Sequence, residues 1–336
     1  MKPKIIFRAD GDRKMGLGHL FRTLALAEML KAQFYCCFMT RCVLPSVHKR
    51  ILEVCESLIK LPSTKDHSHE ARSLLGPLLS GNEVVVLDGY HFDREYQTIV
   101  RSFGSRLVYI DDLQEGHYIA DVVINHAGGL VKKDFRGEDY VQFFLGPNYA
   151  LLRKEFCAAA RHRLSTAQEH YYFICLGGAD PHNDTLRVLR RCEEQGHAQR
   201  CFVITGAAYA YGEELDRYIR QSKMDIIRLS DLDAIRMVKV MQQCGTAVCP
   251  PSSIAYEYLC VGGLLYLHQI ADNQDRLRRF MLCEHLAFSF DQYPIKDAMA
   301  KAKIKQQQRA VFRGDSPKNI LQIFNTICDA VNMPNG

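Results

Sequence analysis

Three turns in this sequence combine residue types that can handle an anion or a water molecule. The first is Gly16-Leu17-Gly18-His19, which follows an apolar run ending in Arg8-Ala9-Asp10-Gly11-Asp12. Glycines at a strand-to-helix turn let the backbone approach a ligand closely, and the free N–H groups of a helix start favour negative charge. His19 would point from that helix start toward the strand ends, where a neutral imidazole can accept a proton from water. A histidine that merely caps the helix is the other reading. The turn is not a dinucleotide fingerprint, which needs a third glycine and an acidic residue about 20 positions on.

The second turn is Leu176-Gly177-Gly178-Ala179-Asp180-Pro181-His182-Asn183-Asp184-Thr185, in which Asn183 or Asp184 is expected to cap the following helix. In the third, Pro250-Pro251-Ser252-Ser253 opens a helix that carries Glu257. Hydroxyls and amides at a helix start bind phosphate, and a nearby carboxylate can hold ribose hydroxyls. Each turn alone is an ordinary αβ connection. Together they read as a site for a nucleotide diphosphate. Asp88-Gly89-Tyr90 and Asp111-Asp112 end apolar runs and could line the same site, although an Asp there often only forms a turn. His67-Ser68-His69 has no third ligand at a suggestive spacing and reads as surface. The chain lacks GxSxG, HExxH, a P-loop and an Asp-rich metal signature, so neither metal nor cofactor is expected.

Short apolar runs alternating with amphipathic stretches imply βα units and mostly parallel sheets. In the first half, strands are predicted near 5–8, 34–39, 84–88, 107–111 and 122–125, with a helix over about 20–31. A connection covers about 145–166 before the alternation restarts, with strands near 171–176, 201–205, 226–229, 246–249 and 264–267. Helices over about 295–311 and 317–331 close the chain. The expected fold is therefore α/β, with two Rossmann-like domains facing across a cleft. Residues 1–150 form the domain carrying His19, 168–293 the nucleotide domain, and 294–336 C-terminal helices without an assigned packing.

The 336 residues, 47% hydrophobic and 24% charged, suffice for two domains with full cores. A net charge of +5 without a basic cluster argues against nucleic acid. No apolar run approaches the roughly 20 residues of a membrane span, so stable membrane association is not expected. The N-terminal Lys2-Pro3-Lys4 runs straight into an apolar strand, with no cleavable signal in view. Thirteen cysteines without a CxxC pair suggest reduced, buried thiols and a cytoplasmic protein. No oligomeric state follows from these features.

The ordered set Arg8-Ala9-Asp10…Gly16-Leu17-Gly18-His19, Leu87-Asp88-Gly89-Tyr90, Ile110-Asp111-Asp112, Tyr149-Ala150-Leu151-Leu152-Arg153-Lys154-Glu155-Phe156, Phe173-Ile174-Cys175-Leu176-Gly177-Gly178 and Asn273-Gln274 resembles the UDP-sugar hydrolases of pseudaminic acid biosynthesis. The similarity runs over about residues 4–290. That family in turn resembles the GT-B glycosyltransferases, notably the N-acetylglucosaminyl transferase that completes lipid II. The resemblance implies release of UDP from a 2,4-diacetamido-2,4,6-trideoxy sugar of the altrose series. It implies that His19 acts on water, and that Tyr90, Asn273 and Gln274 contact the sugar. Ser252, Ser253 and Glu257 fall on the nucleotide side, with Arg153 a further contact; Gly18, Gly177 and Gly178 complete the substrate-binding set. Tyr256 stands where the family commonly has a smaller polar residue, and the chain beyond about Ile295 has no matched counterpart.

A base on the first domain and diphosphate contacts on the second favour attack at the anomeric carbon with inversion. A glycosyltransferase using the same donor, or a non-catalytic nucleotide-sugar binder, would share most of these residues.

Overall fold

The computed structural model describes residues 2–11, 17–42, 44–64, 66–163, 167–206 and 208–332, so Asp12 and Gly16 of the first turn lie outside the described residues. The chain divides into two compact units, Met1–Lys154 with Ser316–Gly336, and Glu155–Asp315.

The first unit runs β1 (Lys4–Ala9), α1 (Gly18–Leu30), β2 (Tyr35–Thr40), α2 (Pro45–Leu52), β3 (Ser57–Lys60), α3 (His67–His69) and β4 (Val84–Asp88). It continues with α4 (Arg94–Ser102), β5 (Arg106–Ile110), β6 (His117–Tyr118), β7 (Val122–Asn125), β8 (Arg136–Gly137) and β9 (Gln142–Leu145). Seven strands form one parallel sheet in the order β3-β2-β1-β4-β5-β7-β9, and β6 pairs with β8 in a short ribbon. The strands read as near-continuous apolar runs because both faces are covered. Ile5, Phe7, Val84 and Val86 enter one core cluster, while the alternate residues Ile6, Val85 and Leu87 enter a second on the opposite face.

The second unit holds α5 (Lys154–Arg161, begun at the last residue of the first unit), β10 (Gln168–Ile174), α6 (Asp184–Gln195), β11 (Arg200–Thr205), α7 (Gly212–Gln221), β12 (Asp225–Ser230) and α8 (Ala234–Gln243). Then follow β13 (Cys244–Cys249), α9 (Ser253–Val261), β14 (Leu264–Leu267), α10 (Asp275–Cys283), β15 (Phe288–Ser289) and α11 (Ala298–Val311). Its parallel sheet has the order β12-β11-β10-β13-β14-β15.

The last helix, α12 (Ser316–Asn332), belongs to the first unit. Its Ile320, Ile323, Phe324 and Ile327 recur at helical spacing and enter the core cluster that also holds Leu20, Leu24 and Phe34. The Phe34 and Phe324 ring centroids lie 6.3 Å apart. Burying each such side chain is worth roughly 1.5–3 kcal/mol. The two closing helices therefore divide between the units. α11 seals the second one: buried Gln308 donates to the carbonyls of Gly263 (3.0 Å) and Leu286 (2.8 Å). Buried Tyr256 meets Phe312 just beyond α11 at 4.9 Å. Tyr256 and the chain that follows α11 are thus parts of one packing contact.

Candidate functional site

In the first unit the chain leaves β1 toward β2 and leaves β4 toward β5, in opposite directions across the sheet. Right-handed crossovers then put the following helices on opposite faces, and a crevice opens at the C-terminal ends of β1 and β4. α1 starts at this crevice with no side-chain cap and no acidic residue in its first turn. Among the described residues, a side chain added at Gly18 would meet nothing within 4 Å.

His19, Arg22 and Thr23 occupy positions i, i+3 and i+4 of α1 and therefore share a face. All three converge on Asp88, the last residue of β4. The His19 ring nitrogen Nδ1 lies 2.7 Å from Asp88 Oδ1. Arg22 Nε donates to Asp88 Oδ2 at 2.8 Å and Arg22 Nη2 to Oδ1, while Thr23 Oγ1 donates to Oδ2 at 2.7 Å. Arg22 Nη1 also reaches Asp112 Oδ2 at 2.8 Å. Arg22 Nη2 lies 2.9 Å from His19 Nδ1 as well. A carboxylate can only accept, so the consistent assignment has Nδ1–H donating to Asp88, with the guanidinium sharing that oxygen. Nε2 of His19 then carries the lone pair.

Asp88 is fully buried. Burial pushes its carboxyl up, but the Arg22 charge, then the Arg22 and His19 hydrogen bonds, outweigh burial and hold it at about 2. Asp88 is therefore a fixed anion that orients His19. Tyr90 sets its ring edge-on to the imidazole, with centroids 4.6 Å apart and planes at 87°, and its hydroxyl donates to Asp112 at 3.3 Å. Burial first and Asp112 second push the Tyr90 phenol up to about 12. Tyr90 remains 52% exposed. His126 is pushed down to about 4 by burial and then by the Arg22 guanidinium.

The adjacent acids separate by role. Asp111 accepts from Tyr118 Oη and Asn125 Nδ2, both at 2.7 Å, and holds the ends of β5 and β7 together. Asp10 accepts from Arg8 Nη2 at 2.6 Å and from the Arg41 backbone N–H at 2.8 Å. Buried Glu70 accepts from Arg8 Nε at 2.7 Å, from Tyr96 Oη at 2.9 Å and from Arg41. The Arg8-Ala9-Asp10 motif thus builds a buried ion network beside the crevice. His67, read as surface from sequence, packs on His91 at the edge of this network, with ring centroids 4.5 Å apart.

The second unit has a comparable crevice, between β10 and β13. Gly177 has φ +90°, a conformation open to glycine, and a side chain at Gly206 would strike the Gly178 backbone at 2.6 Å. Among the described residues, no atom lies within 4 Å of a Cβ built on Gly178 itself. The cap of α6 differs from expectation. It is Asp180 whose carboxylate accepts from the Asp184 and Thr185 backbone N–H groups, both at 2.8 Å. Asn183 adopts a left-handed conformation and accepts from Tyr209 Oη at 2.6 Å. The loop turns earlier than residue spacing alone suggests, so the capping carboxylate comes from farther upstream.

Across the crevice Ser252 holds the N-cap position of α9 in extended conformation without a side-chain capping bond, and Ser253 opens the helix exposed. Glu257 is buried in the next turn. Asn273 is exposed in the turn after β14, and Gln274 Oε1 accepts from the Ile270 backbone N–H at 3.0 Å, closing that turn. The structure thus groups Gly18, His19 and Tyr90 in the first unit, and Gly177, Gly178, Ser252 and Ser253 around the crevice of the second. Arg153 lies in the first unit, just before α5. Sequence reasoning passed over Arg22 and Thr23, for which the i+3 and i+4 spacing from His19 was the available signal; Asp112, named from sequence at the end of an apolar run, joins them through Arg22. A cavity of about 530 Å³ lined by Arg101, Arg106, Tyr140, Phe144, Gln322 and Ile323 lies at the N-terminal ends of β5, β7 and β9, at the opposite end of the sheet from His19.

No family model matches the chain. It is 27% identical to an uncharacterized protein of Methanocaldococcus jannaschii over 271 residues, which cover 77% of this chain but only 54% of that protein. It is 24% identical to the UDP-2,4-diacetamido-2,4,6-trideoxy-beta-L-altropyranose hydrolase of Campylobacter jejuni over 260 residues, 76% of this chain and 88% of that enzyme. It is 25% identical to the spore coat polysaccharide biosynthesis protein SpsG of Bacillus subtilis over 265 residues, 76% of this chain and 74% of that protein. Among solved structures, MurG of Acinetobacter baumannii superposes with TM-score 0.60 at 11% identity, covering 97% of this chain and all (100%) of that one. The calicheamicin glycosyltransferase CalG4 gives TM-score 0.62 at 12% identity, covering 99% and 100%. The chain therefore has the fold of the GT-B glycosyltransferases, and its sequence is similar to proteins named for UDP-sugar hydrolysis and polysaccharide biosynthesis.

Proposed function

We propose that this protein is a cytoplasmic, metal-independent hydrolase that releases UDP from a UDP-linked 2,4-diacetamido-2,4,6-trideoxy sugar, in nonulosonic (pseudaminic) acid biosynthesis. The observation that carries this reading is the His19–Asp88 pair at a crevice of the first sheet. With the Nδ1 proton held by Asp88, His19 Nε2 accepts a proton from water as the water oxygen bonds to the anomeric carbon. The bond from that carbon to the diphosphate oxygen breaks, its electron pair leaves with UDP, and the anomeric centre inverts. The first unit would supply the base and, through Gly18, Tyr90 and Arg153, substrate contacts. Gly177, Gly178, Ser252, Ser253 and Glu257 would hold the nucleotide, and Asn273 and Gln274 the sugar. Backbone amides near Gly177-Gly178, and amides and hydroxyls at the start of α9, suit the charge that develops on the departing diphosphate.

A GT-B glycosyltransferase is the second reading, since the same base could take a proton from an acceptor hydroxyl and the fold neighbours include named glycosyltransferases. An acceptor-free reaction in water enriched in heavy oxygen separates the two. Hydrolysis at carbon puts the label in the free sugar and none in UDP. Label in the UDP phosphate would refute carbon attack and the role given to His19. No UDP release without an acceptor would favour the transferase.

A further inference from the structure

In the second unit a histidine and a carboxylate meet at the β10/β13 crevice, and the functional reading above uses neither. His268 follows β14 directly, and its backbone N–H donates to the carbonyl of Cys249 at the end of β13 (3.0 Å). Its side chain reaches the first residue of α6, the helix that follows β10, where Nε2 lies 3.0 Å from Asp184 Oδ1. The sheet order is β10-β13-β14, so the imidazole crosses the end of β13 to make this bond. It therefore lies at the mouth of the crevice that Gly178 and Ser252 flank. The Phe290 ring fixes it from the side, edge-on, with centroids 5.7 Å apart.

Asp184 is free for this role because Asp180 caps α6. Its carboxylate is 4% exposed and also receives Arg187. The bond to Asp184 places a proton on Nε2 and turns Nδ1 away from the helix. Nδ1 has no hydrogen-bond partner among the described residues, and the His268 side chain is 24% exposed. The arrangement mirrors the first unit, where a helix-start histidine reaches a strand-end aspartate; here the helix start supplies the aspartate and the strand end the histidine.

We infer that His268, held by Asp184, is a diphosphate-binding residue that donates from Nδ1 to a phosphate oxygen of the nucleotide. The inference rests on the assignment of the second unit as the nucleotide site. Because both ring nitrogens donate in this arrangement, the ring that meets the diphosphate is the doubly protonated one and adds a charge-assisted bond to those of the amides and serine hydroxyls. Asp184 acts as a positioning residue: by holding Nε2–H it sets the ring orientation.

Calorimetric titration of the full chain with UDP and with uridine tests this. Hydrogen bonds to charged groups imply that His268→Gln weakens UDP binding by about 10- to 100-fold. Uridine, which lacks the diphosphate, should bind the variant within about twofold of the wild type if only a phosphate bond is lost. Asp184→Asn should shift UDP in the same direction by less, again sparing uridine. Equal losses for UDP and uridine would mean that His268 only supports the fold, and unchanged UDP affinity would remove it from the site; either overturns the inference. If the wild type bound no UDP, the nucleotide assignment itself would fail. Titration with inorganic pyrophosphate would then decide the anion site alone: binding lost in His268→Gln sustains it, and equal or absent binding ends it.

Discussion

Asp88→Asn isolates the charge that organises the first crevice while preserving the shape of the side chain. The carboxyl ordinarily ionises near 3.8. Burial raises it further, yet Arg22 and then His19 hold it at about 2. By linkage, that depression is worth about 2–3 kcal/mol of stability at neutral pH. Because the folded state ionises below the unfolded one, this contribution is complete above about pH 4 and is lost as pH falls through about 2. Removing one partner of a buried ion pair typically costs about 3–5 kcal/mol. Arg22 keeps Asp112 at 2.8 Å, so the lower end is expected. Asparagine can also present its N–H₂ to the imidazole and select the wrong tautomer, leaving Nε2 protonated and unable to take a proton. Turnover should then fall by about 10²–10⁴, the range of a lost general base. Urea titrations of both proteins from pH 2 to 7 give the first quantity, and UDP release from the diacetamido sugar donor gives the second. The stability gap should narrow toward pH 2. A constant gap would remove Asp88 as the titrating anion, and normal turnover would remove it from the orientation of His19.

His19→Ala should reduce turnover by about 10²–10⁴ while leaving UDP affinity nearly intact, as checked by single-turnover kinetics and calorimetry. Glu257→Ala should weaken UDP binding by about 1.5–3 kcal/mol if the carboxylate holds the ribose hydroxyls, and an unchanged isotherm would place the nucleotide elsewhere. Activity should survive EDTA if backbone amides and helix starts carry the diphosphate; complete loss restored by Mg²⁺ would contradict that arrangement. Phe324→Ala should destabilise the first unit by about 3–5 kcal/mol, measured as a lowered unfolding midpoint, because the ring is fully buried against Phe34.

The apolar runs of the sequence located most of the strands because a parallel strand covered on both faces must be apolar throughout. Gln142–Leu145 forms the edge strand β9, of which only Leu145 carried a reading, as the start of the connection. Ser57–Lys60 is also an edge strand and carries too little hydrophobic signal to stand out. The Gly177-Gly178 turn was legible as well, since left-handed backbone at Gly177 excludes most other residues. Residue types and local spacing therefore sufficed to nominate His19, Tyr90, Gly177, Gly178, Ser252 and Ser253.

What each of those residues touches was not legible. His19 and Asp88 are 69 positions apart, and Asp184 and His268 are 84 apart. Each pair meets because of the order in which strands lie in a sheet. The sequence sets strand existence locally, through hydrophobic period and turn chemistry. Strand order depends on which buried faces and crossovers fit together over the whole unit. The same holds for α12: its apolar stripe was readable, but only the packed cores decided that it returns to Leu20, Leu24 and Phe34 while α11 stays with Gly263 and Leu286. Periodicity along a chain states that a face will be buried, and only tertiary packing supplies the surface that buries it.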